Sequence, residues 1–134
     1  MRFWDTSALL PLVVAERETA RAERWLREDA GVLVWTLTRV ELLSALARRR
    51  RQEPGAARRL LAAWERWSEV TAVDLVRRHA ERLVESHPLR AADALQLGAA
   101  LVAAEDDPAG LDFVTLDRQQ ALAAEHEGFR VLGS

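Results

Sequence analysis

The sequence predicts an α/β fold in which a short parallel sheet of about five strands is flanked by helices. Three observations support this. Short β-like runs alternate with longer helical ones along the chain, turn residues such as Pro54-Gly55 fall between them, and the most apolar stretch is an Ala- and Leu-rich segment suited to packing on a sheet. With 134 residues, 49% of them hydrophobic, the chain has the size expected of a single domain spanning 1–134 and can bury a real core.

The elements follow in order. Arg2–Trp4 is a first strand, closed by Asp5 just before Thr6-Ser7-Ala8-Leu9-Leu10 opens a helix. Thr19–Glu28 reads as a helix, and Gly31 introduces a second strand, Val32–Trp35. Residues 38–50 carry Val40, Leu43 and Ala47 at helical spacing, with Thr38 as the cap. Beyond Pro54-Gly55, residues 56–67 place Leu60, Leu61, Trp64 and Trp67 on a helix, so those two tryptophans belong to the core or to a dimer interface rather than to a base-stacking platform. Residues 70–73 form a third strand, Asp74 and Pro88 frame the next helix, and 89–104 is the most apolar helix. A fourth strand covers 113–115, and Gly128 introduces a fifth at 130–132.

Composition excludes several classes. There is no cysteine, hence no disulfide framework, thiolate metal site or cysteine nucleophile. The start Met1-Arg2-Phe3-Trp4-Asp5 has no apolar leader, and no run approaches the ~20 apolar residues needed to cross a bilayer, so the chain reads as cytoplasmic. The net charge of −2 argues against a globally basic nucleic-acid binder. All 19 basic residues are arginine. Without lysine, a dehalogenase-like phosphatase, a phospho-receiver domain and a P-loop NTPase all fall, and no G-x-G-x-x-G supports a dinucleotide fold.

Four acids stand where the pattern otherwise asks for packing or turning. Asp5 and Asp117 each follow a strand and precede a helix, a position where aspartate is also a common N-cap. Glu41 lies inside a helix among Leu37, Thr38, Ser44 and Ala45, and a solvated glutamate is its plainer reading. Asp93 has Leu89, Arg90, Gln96, Leu97 and Ala100 as helical neighbours, and pairing with Arg90 or with the helix N-terminus is the plainer alternative. Taken together, four carboxylates in one crevice of an α/β sheet repel one another unless a cation joins them. An all-oxygen set selects Mg²⁺ or Mn²⁺ over zinc, and the chemistry that follows is phosphodiester hydrolysis by activated water. His79, His87 and His126 lack metal-ligand spacing and read as surface or helix-end residues. Asp112 competes for the fourth acidic role, but it precedes its strand and belongs to the opposite edge of the sheet.

The runs Trp4-Asp5-Thr6-Ser7-Ala8-Leu9, Thr38-Arg39-Val40-Glu41-Leu42, Leu89-Arg90-Ala91-Ala92-Asp93-Ala94-Leu95-Gln96-Leu97 and Phe113-Val114-Thr115-Leu116-Asp117-Arg118 occur in an order and spacing that resemble a PIN-domain ribonuclease. It closely looks like a VapC-type toxin of a bacterial toxin–antitoxin pair. The resemblance implies a three-layer fold and a metal-dependent endoribonuclease with Asp5, Glu41, Asp93 and Asp117 around Mg²⁺ or Mn²⁺. It further implies Ser7 and Thr115 as hydrogen-bond partners of those acids, a homodimer, and a cognate antitoxin that blocks the site. Phe3-Trp4 is bulkier than the β-branched pair usual in the family's first strand, and Gly98 stands where the family often has alanine.

Arg48, Arg49, Arg50 and Arg51, with Arg58 and Arg59 beyond the turn, form a basic patch that serves either as RNA contacts or as a solvated helix end; both predict exposure. Trp25 is a candidate for exposure in an antitoxin groove. Two rivals remain open: a PIN-like RNA- or protein-binding module with weak or no catalysis, and a DNA-directed nuclease of the same chemistry, since no residue here reads a 2′-hydroxyl.

Overall fold

The computed structural model describes residues 1–133. The elements run β1 (Arg2–Trp4), α1 (Thr6–Val13), α2 (Thr19–Glu28), β2 (Val32–Trp35), α3 (Thr38–Ala47), α4 (Ala56–Trp64), β3 (Ser68–Val70), α5 (Val73–Ser86), α6 (Ala91–Ala104), a 3₁₀ turn (Pro108–Gly110), β4 (Asp112–Thr115), α7 (Arg118–His126) and β5 (Arg130–Gly133). All strand pairs are parallel, in the order β3-β2-β1-β4-β5. The chain therefore starts in the middle of the sheet, builds outward through β2 and β3, and returns to the other side of β1. That reversal puts a switch point between β1 and β4, where an open α/β sheet splays its loops into a crevice.

Side-chain alternation along the strands supplies both faces. Trp4, Val34 and Val114 join helices α1 to α4 in one core, together with Trp25, Leu42, Leu60 and Trp64. Phe3, Trp35 and Phe113 face the other way, onto Val76, Leu83, Leu97 and Phe129. Phe3 stacks on its register partner Phe113 with centroids 5.4 Å apart. The bulky Phe3-Trp4 pair thus contributes one fully buried ring to each layer. Helix α6 packs closely on α5 at Gly98, where a Cβ would lie 2.9 Å from the Val76 carbonyl oxygen, so alanine does not fit without a shift.

Several expectations need correction. The third strand is Ser68–Val70 rather than 70–73. It is an edge strand whose Ser68 and Glu69 are exposed, so a search for apolar runs starts it too late. Helix α3 ends at Ala47 and α4 at Trp64, both short of the expected 50 and 67, and α6 begins at Ala91 instead of 89. On α3 the buried positions are Thr38, Leu42 and Leu46, whereas Val40 is 64% exposed. Thr38 is not the cap: Leu37 holds that position, and the Thr38 hydroxyl turns inward to Gln96. Trp25 is buried at 5% exposure, edge-on to Trp4, with the Arg21 guanidinium over its ring, so it offers no exposed groove surface. His87 and His126 lie at helix ends as expected, yet their rings meet 5.9 Å apart.

Candidate metal centre

The four acids reach the crevice from four different elements. Asp5 follows β1 and Asp117 follows β4, so these neighbouring strands aim two carboxylates across the switch point. Asp93 comes from the first turn of α6 and Glu41 from the first turn of α3. Glu41, Asp93 and Asp117 line a single cleft of about 440 Å³ together with Arg90, Ala92 and Gln119. Asp5 lies beneath it, 3% exposed.

The Asp5 carboxylate is held rigidly. Its Oδ2 accepts from Ser7 Oγ at 2.7 Å and from Thr115 Oγ1 at 2.8 Å, and the two hydroxyls lie 3.2 Å apart. Those hydroxyls also organise the next turn, since Leu116 N–H donates to Ser7 and Asp117 N–H donates to Thr115. Ser7 and Thr115 thus tie β1, α1 and the end of β4 around one oxygen. Asp5 sits at the cap position of α1, but no side-chain capping bond forms there among the described residues. Asp117 does cap: its Oδ1 accepts from Gln120 N–H at 3.1 Å, leaving its other oxygen without a partner among the described residues. Glu41 Oε1 accepts from Gln96 Nε2 at 2.8 Å and from Thr6 Oγ1 at 3.2 Å. The Asp93 carboxylate has neither a hydrogen bond nor an ion pair among the described residues; Arg90 is near enough to be felt electrostatically without pairing.

The charges are uncompensated. Burial pushes the Asp5 carboxyl up, and Asp117 adds to the rise against the pull of the Ser7 and Thr115 hydroxyls. Glu41 is raised by burial and by the charges of Asp5 and Asp93, opposed by its bonds from Gln96 and Thr6. Asp93 is pushed up to about 6 by burial, then by Asp5 and Asp117, with Arg90 offsetting part. Partly buried carboxylates that raise one another's proton affinity want a cation. Among the described residues, no three acidic or histidine side chains stand close enough to cage an ion outright, so these acids line an open cleft rather than a closed shell. The donor set, carboxylate oxygen alone, fits a hard divalent ion, which keeps several waters of its own.

Asp112 opens β4 at the other edge of the sheet, bonded to Arg2 and Arg130. Arg48, Arg49, Arg50 and Arg51 lie in the turn that follows α3. Arg48 lies seven positions beyond Glu41, about 10 Å along the axis, so the run sits at the far end of that helix from the acids. Arg48, Arg50 and Arg51 are exposed, while Arg49 pairs with Glu16. The cation that does line the cleft is Arg90, which local helical spacing marks only as a partner for Asp93. Gln96 and Gln120 were also missed, although a fully buried amide on an otherwise apolar helix face is a signal in itself. Gln120 Nε2 donates to the Asp93 carbonyl oxygen at 2.9 Å and so ties α7 to the start of α6. Beside the acidic cleft, and sharing Glu41 and Ala92 with it, lies an apolar pocket of about 230 Å³ lined also by Trp35, Leu37, Val40 and Leu95.

A parallel sheet with an all-carboxylate crevice at its switch point is a layout suited to hydrolytic chemistry on phosphate esters. The chain belongs to the PIN domain family, whose model matches residues 2–126, and this is generally a nuclease fold. Its structure is similar to the crystal structure of PAE2754 from Pyrobaculum aerophilum, with 24% identity over 91% of this chain and 83% of that one and a TM-score of 0.60; at that identity the likeness speaks for the fold. No curated protein gives a significant match.

Proposed function

We propose that this PIN domain is a metal-dependent endoribonuclease, the toxin of a toxin–antitoxin pair, acting as one domain at the Asp5, Glu41, Asp93 and Asp117 site. The observation that carries the reading is that Glu41, Asp93 and Asp117 line one cleft and Asp5 lies buried close enough to repel them, with no arginine ion pair to any of the four among the described residues. These four residues would hold Mg²⁺, or Mn²⁺ in its place. The bound ion would activate water and stabilise charge on the phosphoryl oxygens during phosphodiester hydrolysis.

The remaining work falls to the protein's own groups. Ser7 and Thr115 keep the Asp5 oxygen in one place, which preorganises the deepest ligand. Arg90 lines the same cleft and supplies a positive charge for a backbone phosphate entering beside the acids. RNA as the substrate, a cognate antitoxin, a homodimeric state and a cytoplasmic site of action are supported by the four ordered motifs that resemble VapC-type toxins. No helix among the described residues is long and apolar enough to cross a membrane.

The test is to incubate the purified chain, freed of co-purified protein, with structured bacterial RNA in Mg²⁺, Mn²⁺ or EDTA, beside Asp93→Asn. Discrete cleavage that needs both the metal and Asp93 supports the nuclease. Intact RNA with a folded chain that still binds RNA or a protein partner would overturn it in favour of a binding module.

A further inference from the structure

We propose that Gln96 is the positioning residue for the Glu41 carboxylate, an inference that rests on the metal-site reading above. Gln96 is fully buried on α6, whose other buried residues are Ala94, Leu97, Gly98, Ala99 and Ala100. Burying an amide there is costly unless it bonds. Its nitrogen lies 2.7 Å from Thr6 Oγ1, 2.7 Å from Thr38 Oγ1 and 2.8 Å from Glu41 Oε1. These partners stand 90, 58 and 55 residues away in sequence, so one side chain ties together α1, α3 and α6.

The proton count shows how the cluster works. An amide nitrogen carries two hydrogens and faces three acceptors here. Thr6 Oγ1 resolves the excess, because it also lies 3.2 Å from Glu41 Oε1 and can accept from Gln96 while donating onward. One amide hydrogen goes to Thr38, and the other reaches Glu41 directly or through Thr6. The reverse orientation of the amide would set its carbonyl oxygen 2.8 Å from a carboxylate oxygen, a repulsion that fixes the assignment.

In the orientation adopted, Gln96 Oε1 is buried without a partner among the described residues. Methionine or leucine would avoid that desolvation cost, so packing alone does not explain a glutamine here. What glutamine supplies and they do not is a donor aimed at Glu41. Glutamate has three rotatable side-chain bonds, and the hold on Oε1 removes that freedom while Oε2 keeps no hydrogen bond among the described residues. Gln96 and Thr6 thus do for Glu41 what Ser7 and Thr115 do for Asp5.

The experiment measures Mn²⁺ binding by the electron paramagnetic resonance of the free ion, with melting temperature in EDTA recorded in parallel. It uses the unaltered chain, Gln96→Met, Glu41→Ala and the double variant. Gln96→Met keeps length and loses the donor. We expect it to weaken Mn²⁺ binding by about 10- to 100-fold, the usual cost of losing an outer partner of a metal ligand. In the Glu41→Ala background the same substitution should change binding by less than about 2-fold, because its effect passes through Glu41. Equal losses in both backgrounds, or unaltered binding by a folded Gln96→Met chain, would overturn the proposal. Should Gln96→Met fail to fold, Thr6→Val at the half-buried start of α1 removes the relay and should weaken binding in the same direction; unchanged binding by that variant counts against the proposal. If the unaltered chain binds no Mn²⁺, the metal reading itself falls and takes this inference with it.

Discussion

At the amino ends of the strands, Asp112 accepts from both Arg2 and Arg130, Glu28 accepts from Arg2, and the Met1 amino group pairs with Asp29. At the carboxyl ends, Asp5, Glu41 and Asp117 are met by hydroxyls, an amide and a backbone N–H, the Asp93 carboxylate by no hydrogen bond, and none of the four by an arginine ion pair, among the described residues. The proton affinities differ accordingly. The Met1 ammonium and Gly31 N–H hold the Asp29 carboxyl below its ordinary value, whereas burial and mutual repulsion raise Asp5, Glu41 and Asp93. An acid with its counter-charge built in serves the fold, and a cluster held by neutral donors leaves its charge available to a ligand.

The largest expected effect lies at the carboxyl edge. Asp93→Asn deletes one charge at nearly constant shape and should lower metal-dependent RNA cleavage by about 10²- to 10³-fold, the scale for removing a preorganised electrostatic group. Single-turnover cleavage at saturating Mg²⁺ measures this, and activity within a few-fold of the unaltered chain would remove Asp93 from the site. The same variant should melt at a higher temperature in EDTA at neutral pH, because it relieves repulsion instead of breaking a bond.

At the amino edge the sign reverses. Arg2 is 8% exposed and donates to Asp112, to Glu28 and to the Trp25 carbonyl oxygen. Arg2→Met keeps much of the stem and strands those acceptors, which should cost about 2 to 3 kcal/mol in urea denaturation; the partial exposure of the acids places this below the value for a fully buried pair. Mn²⁺ affinity should not change. A loss of metal binding in a folded Arg2→Met chain would show that the two edges are coupled.

The pH dependence sharpens the comparison. Without metal, folded Asp93 keeps its proton up to about 6, while in the unfolded chain it loses it near the ordinary carboxyl value of 3.8. The folded state therefore binds more protons across that window, and its stability falls as pH rises from about 4 through about 6. The melting-temperature gap between Asp93→Asn and the unaltered chain should open over this range in EDTA and close when Mn²⁺ is added. Glu127 behaves oppositely. Arg82 and then His87 hold its carboxyl below the ordinary 4.5, so the stability it contributes is present above that value and lost as pH falls through the lower, folded one. Glu127→Gln should flatten the acid limb and leave the Asp93 window untouched.

The smallest effect concerns RNA affinity. Arg90→Ala should weaken binding of uncleaved RNA and reduce the salt dependence by about one phosphate contact. Arg51→Ala, at the far end of α3, should do neither. Fluorescence anisotropy at several salt concentrations separates them, and the opposite ranking would return the RNA path to the Arg48–Arg51 turn.

Much of the fold was legible because periodicity reports burial directly. Phe3-Trp4 and Val32–Trp35 are continuous apolar runs because parallel central strands are covered on both faces. The edge strand Ser68–Val70 was misplaced for the converse reason, since two of its three residues are exposed and carry no hydrophobic signal. The face of α3 was read one position off because the buried set includes the polar Thr38, which packs by bonding to Gln96 rather than by hydrophobicity.

By itself, then, the sequence determined the fold class, the absence of cysteine and lysine chemistry, and the set of acids proposed for the site, since each of these is a property of residue type or of local spacing. Only the tertiary structure decided which charges are paired. Asp112 and Asp117 flank the same short strand, yet one is neutralised by Arg2 from β1 and Arg130 from β5, and the other stands open in a cleft beside Glu41 and Asp93. The hold of Gln96 on Glu41 across 55 residues has the same character. Such contacts depend on strand order and helix docking, which bring together groups that no local pattern relates.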